Sequence, residues 1–261
     1  MEYFRDPEGR VMIDIIKARE RRYSDFGWLK TYWLFSFADY YDPGNIQFGP
    51  LRVFNDDIVE PGTGFPTHPH DEMEIITVVL DGEMTHEDSM GNKTVIAAGD
   101  VQRMSAGTGI THSEFNLSRG PVHFYQIWLY PEVPLLAPSY DQMHFESADF
   151  HNTFFPVASG QGLEGVVSFH TDATVYRAAI DAGKVLEYRT REDRRIFVYL
   201  TEGTIEINNV RLQKHDQARI DMETVLKFDV CKPCELVLID IPSCRGWGYS
   251  RDTLKGERRS R

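Results

Sequence analysis

The sequence predicts an all-β protein of two barrels with few, short helices. Three observations carry that expectation. Short runs rich in β-branched and aromatic residues alternate throughout with Gly, Pro and Asn turn signals, the pattern of sandwiches and barrels. Pro131, Pro134 and Pro138 punctuate the middle of the chain, as linkers between domains do. The pattern then partly returns. Ile75 to Gly82 (IITVVLDG) resembles Ile196 to Gly203 (IFVYLTEG), and Ala98-Gly99-Asp100-Val101 has a counterpart in Lys214-His215-Asp216-Gln217.

Taken in order, Thr31 to Phe37 (TYWLFSF) is aromatic and β-prone, and Tyr41-Asp42-Pro43-Gly44 is a turn. Gly49 to Val59 reads as a strand that Pro61-Gly62-Thr63-Gly64 breaks. Met73 to Leu80 is a strand without clean alternation, as expected when both faces are covered. Asp81-Gly82 and Met90-Gly91-Asn92 turn the chain again. Short helices are expected near Tyr140 to Phe145 and Asp149 to Phe154. The domains are then residues 1–138, a first barrel; 139–245, a second; and 246–261, a basic tail read as mobile.

At 261 residues the chain is long enough for a substantial core, as one large domain or two small ones. Its net charge of -12 argues against direct contact with nucleic acid, which needs a basic face. No apolar run is long enough to cross a bilayer, and Met1 to Asp6 has no apolar signal core. Three cysteines, Cys231, Cys234 and Cys244, are too few for a disulfide framework, so a reducing, cytoplasmic setting is expected. Cys231-Lys232-Pro233-Cys234 lacks a second pair and a following helix signal; it reads as a turn with two cysteines.

The chemistry concentrates between Gly62 and Asn116. His68 and His70, one residue apart in an extended segment, share a face, and so do His112 and Glu114. Bringing two such strands together in a barrel gathers imidazoles and carboxylate at one point, a donor set for a divalent transition metal. Gly62, five residues, His68-x-His70, three residues, Glu74 is the start of the first cupin motif, with Gly82 one residue late. Gly99, His112 and, after three residues, Asn116 follow the second motif with two extra residues before the histidine. Glu74 keeps the strand parity of His68 and His70. Counting back from Gly203 the same distances lands on Arg189 and Arg191, so the second barrel is expected to be metal-free.

A longer match is more specific. The sequence resembles the pirin family over most of its first half, through Phe35-Ser36-Phe37-Ala38-x-Tyr40, Leu51-Arg52-Val53-x-Asn55-Asp56-Asp57 and Gly64-Phe65-x-x-His68-Pro69-His70. The match continues through Gly82-x-x-x-His86-x-Asp88-Ser89-x-Gly91-Asn92, then Gly99-Asp100-Val101-Gln102-x-Met104-Ser105-Ala106-Gly107-x-Gly109-Ile110-x-His112-Ser113-Glu114, with Gln126-x-Trp128 behind. Beyond Pro138 the likeness is architectural.

The resemblance implies a bicupin with one metal in the first barrel, Fe(II) above copper, nickel, manganese, cobalt or zinc. The family's ligand pattern maps onto His68, His70, His112 and Glu114. In ordinary cupins the glutamate of the first motif, here Glu74, is a ligand; in pirin-like proteins the glutamate after the second-motif histidine takes that role. Glu74 is then expected beside the ligands, orienting a histidine N–H or a water, its alternative being a solvated carboxylate at a strand start. His86 is expected near the site or in a structural role. The resemblance further implies quercetin 2,3-dioxygenase chemistry. A flavonol binds through its 3-oxygen, Glu114 is the base for its hydroxyl proton, and O₂ opens the central ring with release of carbon monoxide. The rival implication, from another class, is a non-catalytic metal- or redox-sensing partner of regulatory proteins.

Overall fold

A computed structural model describes residues 11–243 and the short strand at 2–5; the tail expected from residue 246 and Cys244 lie outside the described residues. The chain opens with β1 (Glu2–Arg5) and β2 (Val11–Ile16), then a single 3-10 turn at Ala18–Glu20. Next come β3 (Arg22–Asp25), β4 (Leu29–Trp33), β5 (Leu51–Val59), β6 (Thr63–His70), β7 (Glu74–Asp81) and β8 (Glu83–Asp88). They are followed by β9 (Lys93–Ala97), β10 (Asp100–Ser105), β11 (Ile110–Asn116), β12 (Val122–Leu129) and β13 (Ser139–His144). The second half holds β14 (Phe155–Ser159), β15 (Val167–Ser168), β16 (Thr174–Ile180), β17 (Val185–Arg189), β18 (Arg194–Ile207), β19 (Val210–Gln213), β20 (Gln217–Asp221) and β21 (Val225–Pro242).

The architecture is the expected all-β bicupin. A seven-stranded sheet, β13-β10-β7-β12-β5-β4-β3, packs on a four-stranded sheet, β6-β11-β8-β9, to form the first barrel. Leu29, Val79 and Phe124 from the larger sheet meet Met84 and Ile96 from the smaller one. A ten-stranded sheet curls into the second barrel around an aliphatic core that includes Ile13, Ile15, Ile180, Ile196, Leu200 and Leu238. Strand alternation gives β5 and β12 two faces of use. Phe54, Tyr125 and Ile127 turn outward and pack on Phe197, Tyr199, Val237 and Ile239 of the second barrel. β7, buried along most of its length, is the strand covered on both faces.

The internal repeat is real in three dimensions. Gly82 and Gly203 end the matching runs, both at positive φ (76° and 89°). A Cβ there would lie 2.6 Å from the Pro121 carbonyl oxygen and 2.2 Å from that of Pro233, so each position needs glycine for conformation and for space. Arg189 and Arg191 are exposed, each ion-paired with a neighbouring acid, Glu187 and Asp193.

Four local expectations are corrected. Tyr140 to Phe145 is not helical: Ser139–His144 is β13, paired with the edge of β10 from Asp100↔His144 to Ser105↔Ser139. A free ladder of backbone partners outweighs local propensity there. The stretch from Asp149 to Phe154 forms turns, broken by Asn152 at φ 56°. The strand expected over Thr31 to Phe37 stops at Trp33. Cys231 and Cys234 lie within β21 rather than in a turn, Cys234 buried opposite Ile180 and Cys231 exposed.

Three strands, β1, β2 and β13, cross the boundary expected at Pro138. β13 completes the seven-stranded sheet of the first barrel, and β2 pairs with β20 of the second. Among the described residues no helix is long and apolar enough to cross a membrane.

Candidate metal centre

The small sheet builds the centre. On β11, His112 lies directly opposite His68 of β6 and Asp88 of β8, while Glu114 lies opposite His86 of β8. His70 faces Ile110. Residues directly opposite on antiparallel strands share a face, so these side chains all enter the first barrel. Between its pairs with Glu114 and His112, β6 has two residues, Pro66 and Thr67, where β11 has one, Ser113. Pro66 falls in that bulge, where its missing N–H costs no ladder bond. At Gly64 a Cβ would stand 2.2 Å from the Glu114 carbonyl oxygen, so glycine sets how closely the strands approach.

The histidine rings of residues 68, 70 and 112 pack with centroids 4.5 to 5.0 Å apart. One donor atom from each of His68, His70 and His112 lies within 4.8 Å of the others, and the same holds for His86, His112 and Glu114. His112 is the member common to both trios. His112, His86 and Glu114 are buried, while His68 and His70 are half-buried at the open side.

Hydrogen bonds select which nitrogens remain available. His68 Nδ1 lies 2.8 Å from the Pro66 carbonyl oxygen, an acceptor, so Nδ1 carries the proton and Nε2 keeps its lone pair. His112 Nδ1 is 3.4 Å from His86 Nδ1, and His86 Nε2 is 3.3 Å from Asp88 Oδ2. Asp88 is itself held by the N–H groups of Met90 and Asn92 and by the Asn92 amide. An acceptor at the far end orients the whole chain: His86 donates to Asp88, His112 donates to His86, and His112 Nε2 is left with a lone pair. That Nε2 and Glu114 Oε1 are buried with no hydrogen-bond partner. The other oxygen, Glu114 Oε2, accepts a bond from Gln126 Nε2 (3.3 Å), whose carbonyl accepts from Thr77 Oγ1 (3.2 Å). Two partnerless buried acceptors beside neighbouring imidazoles fit a divalent cation, since an unmet buried acceptor is costly and a cation satisfies it.

Electrostatics point the same way. Burial and the neighbouring imidazole hold His70 down at about 4, and burial with His68 and His70 holds His112 at about 2. Burial lifts Glu114 to about 7 and Asp57, deeper in the same barrel, to about 8. His70 and His112 are therefore neutral at neutral pH, with lone pairs available to a metal, and a cation would draw Glu114 back to its carboxylate.

Glu74 corrects an expectation. It is neither solvated nor bonded to the cluster. Its carboxylate accepts from Ser105 Oγ (2.7 Å) and lies 3.2 Å from His170 Nδ1 on the segment entering the second barrel. The parity argument fails because β6 ends at His70 and the chain turns through Glu72, at φ 47°, before β7 begins. His86 lies with its Nδ1 3.4 Å from that of His112. Asp88, Gln126 and Trp128 were given no role from sequence; Trp128 stands edge-on to His70 with centroids 4.9 Å apart. The spacing His86-x-Asp88 on one strand, and Gln126-x-Trp128 on another, is the signal that places each pair on one face.

The fold and this cluster define a two-barrel cupin protein with a histidine–carboxylate group in its first barrel. The chain belongs to the pirin family. Residues 16–129 match the family model described as Pirin, and residues 156–241 match that of the quercetinase C-terminal cupin domain. A pirin-like protein of Caulobacter vibrioides is 44% identical, over 83% of this chain and 94% of the relative. A protein of Escherichia coli named quercetin 2,3-dioxygenase is 40% identical, over 88% of this chain and 99% of the relative. The solved structure of the bacterial pirin YhhW from Escherichia coli in complex with nickel(II) superimposes with a TM-score of 0.84 at 39% identity, covering 89% of this chain and 100% of YhhW.

Proposed function

We propose that this protein is a metal-dependent dioxygenase that opens flavonols such as quercetin with O₂, its metal held by His68, His70, His112 and Glu114. The observation that carries the reading is the pair of buried, partnerless acceptors, His112 Nε2 and Glu114 Oε1, within the imidazole cluster. Relatives named for quercetin dioxygenation and the nickel complex of YhhW support it. Fe(II) is the expected ion, and the same donors suit nickel, copper, manganese, cobalt or zinc. A bound divalent metal supplies Lewis acidity toward an enolic oxygen and electronic contact with O₂.

The protein's own groups do the rest. Substrate enters on the half-buried side of His68 and His70. Trp128, beside His70, offers an aromatic wall for the flavonol rings. Glu114 is the base: its carboxylate takes the 3-hydroxyl proton, with Gln126 Nε2 donating to Oε2 and fixing its orientation. Asp88 and His86 hold His112 in the tautomer that leaves Nε2 free. The products are a ring-opened ester acid and carbon monoxide, so both atoms of O₂ enter the organic product.

The test is an aerobic assay of iron-loaded and nickel-loaded protein with quercetin, following flavonol absorbance, O₂ uptake and carbon monoxide. Stoichiometric consumption of flavonol and O₂ is expected. No turnover of any flavonol or catechol with a filled metal site would overturn the reading and leave a regulatory partner protein in its place.

A further inference from the structure

A second cavity, of about 480 Å³, lies between the two barrels. That is an ordinary volume for a small-molecule site. It sits on the other side of the seven-stranded sheet from the metal cluster. On β5, Asn55 and Asp57 turn into the first barrel while Asp56 and Ile58 line the cavity; on β12, Gln126 reaches Glu114 while Tyr125 and His123 line the cavity.

The cavity opens where the interface rows turn from apolar to polar. Val175 is followed by Arg177, Tyr199 by Thr201, and Val237 is preceded by Glu235, each pair on the face toward the first barrel. Most charges there are already paired. Asp56 is held by His123 Nε2 (2.7 Å), Tyr199 Oη (2.7 Å) and Arg21 (3.7 Å), and Lys214 is paired with Glu202. Among the cations, Arg177 is the exception. Its guanidinium is half-buried and lies over the Phe150 ring at 4.3 Å, with no hydrogen bond or ion pair to any described residue. Burial lowers its pKa, against the opposing pull of the exposed Glu235 carboxylate, so this cation has given up water with only a solvent-exposed anion nearby. The Phe150 ring lies against the guanidinium, whose N–H groups stay available for bidentate capture of a planar anion.

We infer that this interbarrel cavity is a binding site for a small aromatic monocarboxylate, its carboxylate held by Arg177 and its ring by the apolar wall. Tyr32, Ile58, Leu80 and Val237 supply that wall. Asp81, Glu202 and Glu235 also line the cavity, which disfavours a dianion such as phosphate and leaves a single negative charge as the better match.

The experiment titrates metal-loaded protein with 4-hydroxybenzoate, its neutral amide and inorganic phosphate, by calorimetry. Saturable binding of the acid alone is expected. Arg177→Met keeps the stem over Phe150 and should weaken binding about ten- to a hundredfold. Arg177→Lys, which keeps charge but loses the fork, should fall between. Glu235→Gln, at an exposed position, removes a competing charge and should tighten binding about two- to fivefold, which keeps the test informative even where an Arg177 variant fails to fold. His70→Ala should leave affinity unchanged, which separates this cavity from the metal centre. Absence of saturable binding, equal binding of the amide, tighter binding of phosphate, unchanged affinity in folded Arg177→Met and Glu235→Gln, or loss of binding in His70→Ala would each overturn it.

Discussion

His68 and His112 face each other directly across β6 and β11, with ring centroids 4.5 Å apart, yet different partners orient them. His68 leans on the Pro66 carbonyl, while His112 is set by the His86–Asp88 chain. Losing a ligand and losing an orienting partner should therefore differ. His112→Ala is expected to abolish metal binding, and His86→Leu to weaken it about 10- to 100-fold while leaving the site fillable. Metal analysis after dialysis and chelator competition distinguish the two; equal retention in both variants would rule out this division of labour.

Glu114 and Glu74 should separate on two axes. Glu114→Gln, compared at matched metal occupancy, is expected to lower flavonol turnover about 10²- to 10⁴-fold through loss of the base. Glu74→Gln should leave turnover near the parent's and lower stability by about 1–3 kcal/mol, because Ser105 and His170 lose a charged acceptor. Steady-state rates and denaturant unfolding measure the two effects. The opposite pattern, with Glu74→Gln inactive and Glu114→Gln active, would move the base to Glu74.

Metal uptake should expel the proton that burial keeps on Glu114. At pH 6, below its value of about 7, the metal-free carboxyl is mostly protonated, whereas a liganding carboxylate is not. The parent is expected to release close to one more proton per metal than Glu114→Gln. Calorimetry in two buffers of different ionisation enthalpy reads the difference directly, and identical release would show that Glu114 is not a ligand.

In the metal-free protein, stability should fall from pH 7 to 8. Asp57 and Glu114 hold their protons when folded above the pH at which they lose them unfolded, so their stabilisation is full below about pH 4 and is lost as pH rises through their folded values. His70 and His112 work the opposite way, but only below the ordinary histidine value of 6.5. Of these four groups, Asp57, at about 8, holds most of the proton still lost above pH 7, and Glu114, at about 7, holds the rest. Asp57→Asn should flatten the unfolding midpoint across that window. An unchanged slope would assign it to other groups.

The ligand candidates were legible because strand parity is a local property: His68-x-His70 and His112-x-Glu114 each fix a shared face, and cross-strand pairing completes the group. Glu74 was misread for the same reason. Parity carries across residues 70 to 74 only if the strand is continuous, and the turn at Glu72 interrupts it. β13 was misread as helix because its reason for being extended is the edge of β10, more than thirty residues upstream. The repeat of Ile75 to Gly82 in Ile196 to Gly203 was visible because both turns need a glycine that can face a neighbouring backbone. The His86–Asp88 chain was present as residues in the matched block, but its direction emerges only once His112 lies between two strands.

The exchange of β2 and β13 gives the molecule an interlocked construction. Cutting the chain near Pro138 would leave the first fragment with two strands, β1 and β2, that belong in the other barrel, and the second with one, β13, that belongs in the first. Neither half is a self-sufficient module. A protease nick in the 131–138 connection should thus leave the two pieces clasped together under native conditions, each still threaded into its partner's sheet.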